Sequence, residues 1–182
     1  MRCLTLSDTA KSKAQSNFSQ YWDSAQHFMW NFAMTKEKSK TIARTIGNNH
    51  EWGISMITPM LKAYKQSYDK YIGKGYSEKN ASDKALADTI VYMPEFKYDA
   101  VSVMKSSYSF FKSFFSAESI MDLWNNCYGR AYPAKGYTSD VNAFRYSAFT
   151  AKELVLDGNS GMAANLTETH IKNVWSWDWY SY

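Results

Sequence analysis

Apolar residues along this chain recur three and four positions apart, and alternating runs of β-branched residues are almost absent. That spacing gathers apolar side chains on one face of a helix and offers no pattern for a half-buried strand. The chain is therefore expected to be mainly α. Its 182 residues suffice for one well-filled core and match the size of a single domain, so residues 1–182 read as one compact multi-helix domain. With 14 Tyr and 7 Trp among 17% aromatic residues, that core is expected to be rich in aromatic side chains, with Tyr at its rim.

Start and stop signals divide the pattern. A first helix is expected over Ser16 to Met34 and a second over Lys36 to His50, where Gly47 and the Asn48–Asn49 pair weaken it. Pro59 opens a third, "PMLKAYKQSYDKYIG", which Gly73 and Gly75 end. Ser77 suits the N-cap of a fourth that Pro94 closes. "YDAVSVMKSSYSFFKSFF" reads as a core helix, and Ser116 is available to cap "SAESIMDLWNNCYGRAY", which stops at Pro133. "TSDVNAFRYSAFTAKELVL" is a further amphipathic candidate. Residues 157–182 read as a loop followed by a Trp-rich end, with Thr167 or Thr169 placed to cap a short helix.

Several classes fall away. The net charge of +4 is scattered and makes no basic run, so no nucleic-acid partner is expected. Cys3 and Cys127 lie far apart with no C-x-x-C or zinc-finger spacing, leaving a disulfide and two thiols both open. No apolar stretch reaches the ~20 residues of a membrane-spanning helix. "MRCLTLSDTAKSKAQ" lacks the apolar region of a secretory signal.

What stands out is polar. Asp23, His27 and Asn31 fall at i, i+4 and i+8, on one helical stripe beside Trp30; Asp122, Asn126 and Arg130 repeat the spacing, with Asn125 alongside. His50 and Glu51 stand together in "NNHEWG", without the second His of H-E-x-x-H. A polar ladder can be a surface pair, a cap or a structural network. Two of them in an aromatic interior must satisfy each other, because an unpaired buried polar atom costs ~1–3 kcal/mol, and clustered titratable groups are also how acid–base sites are made.

"SAQHFMWNFAMTKE", "NNHEWG" and "MDLWNNCYGRAYP", within residues 21–133, resemble an uncharacterised bacterial domain family with an A-F-R-H-x-x-W-N, H-E, M-D-L-x-N-N-x-x-G-R pattern. That family occurs as small proteins and at the C-termini of secreted, toxin-like polypeptides. The resemblance carries over His27, Trp30, Asn31, His50, Glu51, Asp122, Asn125, Asn126, Gly129 and Arg130. Gln26 stands where the family has Arg. The resemblance implies a helical fold and a bacterial, antagonistic setting, and brings no established reaction.

The expectation is an effector-type hydrolase domain, secreted or delivered to a target cell, with the periplasm as a candidate compartment, acting on a cell-envelope substrate such as peptidoglycan or lipid. His27 or His50 would be the general base, with Glu51 or Asp122 as acid or orienting partner. Trp30, Asn31, Asn125, Asn126 and Arg130 would hold the substrate or its developing charge. Water activated by His or by a divalent metal on His27, His50, Glu51 and Asp122 fits better than a covalent intermediate, since no Ser or Cys is poised. A toxin-like setting allows an immunity protein as partner. The alternative is a non-enzymatic membrane-acting or protein-binding domain, using "FFKSFF" and "WSWDWYSY", whose polar network is structural.

Overall fold

The computed structural model describes residues 2–158 and 163–177. The last part of the Trp-rich end, residues 178–182, lies outside them, as does the Cys3 side chain. The expected mainly α architecture is what is found: α1 is Arg2–Asn17, α2 Trp22–Glu37, α3 Lys40–Gly73, α4 Glu78–Ser106, α5 Tyr108–Phe114, α6 Ala117–Ala131, α7 Asp140–Arg145 and α8 Glu168–Ser176. Among the described residues the only β pairing is a single bridge between Asp157 and Ala163.

Several boundaries differ from expectation, and the expected core helix over residues 98–115 is divided between α4 and α5 at Ser107. The first helix is two, because Phe18 leaves the helical path to pack on Phe144, with ring centroids 4.6 Å apart, before a 3-10 turn at Ser19–Tyr21 leads into α2. The helix capped by Ser39 does not stop near His50; α3 runs on for 34 residues. Gly47 lies against Asn31 and Asn126, and Asn48 is buried, so packing outweighs the weak local propensity of that stretch. Pro59 and Pro94 sit inside α3 and α4 instead of bounding them. Each removes one helical hydrogen bond, but the helix on either side is long. The amphipathic candidate near residue 140 shrinks to α7, which a π-helical turn at Tyr146–Thr150 ends.

The expected caps hold where side-chain chemistry dominates. The Ser77 and Ser116 hydroxyls accept from Asn80 N and Ser119 N, opening α4 and α6. Thr167 and His170 form a reciprocal capping box on α8.

Aromatic residues fill two clusters. Phe28, Phe32 and Phe144 anchor the one that joins α1, α2 and α7. Trp52, Phe111, Met121 and Ile171 anchor the other, around α5, α6 and α8. Burying one such side chain is worth roughly 1.5–3 kcal/mol. "FFKSFF" belongs to this second cluster: Phe111 and Phe115 are buried and Lys112 pairs with Glu168 at 2.7 Å. Phe110 and Phe114 stay half-buried. Further exposed apolar surface lies on the α3–α4 hairpin, at Leu61, Leu86, Ile90 and Val91, the last 71% exposed. No described helix is long and apolar enough to cross a membrane.

Candidate functional site

Between the two clusters, α2, α3 and α6 meet along a polar strip. Gly129 makes this possible on α6, since a Cβ there would overlap the Phe28 carbonyl of α2. Gly47 does the same for α3, where a Cβ would stand 2.9 Å from Asn31 Oδ1. Ser24 then meets Met121, His27 meets Asp122, and Asn31 meets Asn126, so the two ladders face each other turn by turn.

The C-terminal half of the strip is tied together by hydrogen bonds, with Asn126 Nδ2 left over as a buried donor. Asn31 Nδ2 donates to Asn126 Oδ1 and to the His27 carbonyl at 3.2 Å, while Arg130 Nη1 donates to Asn31 Oδ1 at 2.9 Å. Burial lowers Arg130 to about 10. Asn125 turns away, donating to Val155 O at 2.7 Å and accepting from Val155 N at 3.2 Å. It pins the segment after α7, so its expected contact with substrate is reassigned to the scaffold.

The N-terminal half is not closed. His27 Nδ1 lies 3.6 Å from Glu51 Oε1, and His27 Nε2 lies 3.6 Å from Asp122 Oδ2 and 3.7 Å from Asp23 Oδ1. These separations exceed a hydrogen bond, for which 2.7–3.2 Å is usual. Glu51 is fully buried, and both its oxygens, His27 Nδ1 and Asp122 Oδ1 are without a hydrogen-bond partner. His50 is at the exposed rim, its ring 5.7 Å from that of His27 and 5.6 Å from that of Trp30. Trp30 is thus a wall of the site, edge-on to both imidazoles.

Desolvation governs the protonation states here, because burial penalises whichever form is charged. It pushes Glu51 up to about 8, with the Asp23 charge adding to the rise; Ser119 lies near enough to offset a part of it. It raises Asp122 well above the usual carboxylate range, helped by Glu51 and Asp23, and takes Asp23 to about 6. It lowers His27 to about 3, with His50 nearby contributing and Asn126 opposing. A neutral imidazole therefore stands between three carboxyl groups.

Two features escaped the sequence. Asp157, expected in a loop, is buried at the start of α2, accepting from Ser24 N at 3.0 Å, from Asp23 N at 3.3 Å and from the Ser24 hydroxyl. A carboxylate suits a helix N-terminus, but its partners lie more than 130 residues away in sequence, so no local signal marks it. The second is a groove of about 1060 Å³ between α3 and α4, lined by Ile54, Pro59, Lys62, Tyr92 and Phe114. Ser55 and Ser119 also line it; Ser55 is one turn beyond Glu51 on α3 and Ser119 one turn before Asp122 on α6. The groove thus ends beside the cluster.

The nine residues singled out from the sequence all lie along this strip, with Asn125 facing out of it. Comparison with protein-family models, curated proteins and solved structures finds no match to the chain.

Proposed function

We propose that this chain is a hydrolase domain of bacterial effector type, acting on a cell-envelope lipid that enters along the α3–α4 groove. The observation that carries the reading is Glu51: a fully buried carboxyl with no hydrogen bond, shifted to about 8, beside a neutral imidazole. A group poised near neutral pH both takes and returns protons. Glu51 is accordingly the acid–base residue, in place of the His first expected. Its carboxylate accepts a proton from water as the water oxygen adds to an ester carbonyl, and the resulting acid returns that proton to the departing alkoxide. His27 orients Glu51 and Asp122 about its two nitrogens. Asn126 Nδ2, buried without a hydrogen-bond partner, is the donor available to the developing oxyanion; Arg130 and Asn125 are committed elsewhere. Between lipid and peptidoglycan, lipid is favoured, since the groove walls are largely apolar and carry Lys62 for an anionic headgroup, with Lys70 beside Asp88.

The test is fatty-acid release from anionic phospholipid mixed micelles by purified protein. Wild type should release it, with a rate rising toward pH 8 as Glu51 ionises, and Glu51→Gln should lose at least ~100-fold, the scale of general acid–base catalysis. Equal activity in both, or none in wild type, overturns the reading. Toxicity confined to periplasmic expression would place the substrate in the envelope.

A second reading rests on the exposed Leu61, Ile90 and Val91 of the hairpin: a non-enzymatic surface for a membrane or for an immunity protein. Vesicle leakage that Glu51→Gln leaves unchanged decides for it.

A further inference from the structure

We infer that His27, His50 and Glu51 form a mononuclear site for a zinc-class divalent cation, with Asp122 and Asp23 holding the far side of the His27 ring; an ion there would occupy Glu51, so the acid–base role given to Glu51 above is that of the metal-free chain. One ligand atom from each of the three lies within 4.8 Å of the others. The 3.6 Å between His27 Nδ1 and Glu51 Oε1 is too long for a hydrogen bond, yet it is about the distance between two ligands on one tetrahedral ion at ~2.0–2.2 Å. The second, independent observation is that Glu51 presents two fully buried oxygens, and His27 one buried nitrogen, with no hydrogen-bond partner. Such atoms cost stability in a dry interior unless something binds them. The buried cation two turns along α6 from Asp122 does not, because Arg130 gives its Nη1 to Asn31.

The same three carboxylates and imidazole contain a second triad, Asp23, His27 and Asp122. Composition decides between them. Two imidazoles and one carboxylate are a usual catalytic zinc set with a fourth position open to water, whereas Asp23 and Asp122 with one imidazole are a harder, more oxygen-rich set. The two nitrogens of His27 also diverge, so an ion on Nδ1 leaves Nε2–H pointing at Asp122 and Asp23, at 3.6 and 3.7 Å. A carboxylate behind a metal-bound imidazole fixes its tautomer and raises its basicity. His50, at the exposed rim, gives the ion a path from solvent.

The site is tested by occupancy, apart from any hydrolytic activity. Metal-free full-length protein is titrated with Zn²⁺ in a calorimeter and with Co²⁺ in a spectrophotometer. We expect one equivalent bound, visible cobalt bands of low coordination number, and a Tm about 5–10 °C higher at a hundredfold excess over Kd. His50→Ala should keep the metal-free Tm and lose at least ~100-fold in affinity. Asp23→Asn should lose less, about tenfold, as groups behind a ligand do. No saturable uptake by wild type, or undiminished uptake by His50→Ala, overturns the inference; so does a greater loss in Asp23→Asn than in His50→Ala, which would move the ion to the other triad. Zinc uptake without hydrolysis would defeat only the hydrolase reading, and hydrolysis without zinc uptake only the zinc site.

Discussion

Two turns of the same helices behave oppositely. At Asn31, Asn126 and Arg130 the facing side chains share hydrogen bonds across α2 and α6, and a single amide donor, Asn126 Nδ2, is left over. One turn earlier, at His27, Asp122 and Glu51, groups of equal burial stand 3.6 Å apart with polar atoms unsatisfied. Both sit between aromatic clusters, and both descend from ladders with the same spacing. The difference is therefore not environment but pairing. The amide and guanidinium groups can donate and accept within the protein, whereas three carboxyls around one imidazole cannot all be satisfied by it. A closed network specifies a scaffold, and an open one of titratable groups is arranged for something from outside.

The largest effect should come from removing the contact both halves share. Gly129→Ala places a methyl group on the Phe28 carbonyl and should cost about 3 kcal/mol or more, as overpacking at a rigid backbone does; chemical denaturation measures it, and a loss below 1 kcal/mol would mean that α2 and α6 separate easily. Asn31→Ala attacks the closed half alone. It strips Arg130 of the Asn31 acceptor and should cost about 2–3 kcal/mol, in the range for a lost hydrogen bond to a charged group, read from the urea midpoint. Asn125→Ala, which frees both backbone groups of Val155, should cost about 2 kcal/mol and leave metal affinity within about twofold. A larger change in affinity would return Asn125 to the site.

The sequence showed the helices and the ladders because both are local periodicities. The Ser77, Ser116 and Thr167 caps were legible for the same reason: hydroxyl and amide lie within three residues. Unbroken α3 was not, since Gly47 and Asn48 weaken a helix in isolation and are held here by Asn31 and Asn126 of other helices. Glu51 read as a residue at a loosening helix end and is instead the most enclosed carboxyl of the strip. The split between a closed and an open half depends on distances across helices, which no spacing encodes. Asn125 and Asn126 are neighbours of the same type, yet one holds Val155 and the other faces His27, a consequence of the 100° between successive helical residues.

The most direct test of that split is the stability of metal-free Glu51→Gln against wild type as a function of pH. Glu51 titrates near its ordinary 4.5 when unfolded and near 8 when folded. Between those values the folded state binds the extra proton, so wild type loses stability as pH rises while the Gln variant is spared. The two should melt together below pH 4.5, and the variant should become the more stable by a few kcal/mol at pH 8. A variant that instead melts lower than wild type at pH 8, by an amount like that of Asn31→Ala, would show that Glu51 belongs to the scaffold after all.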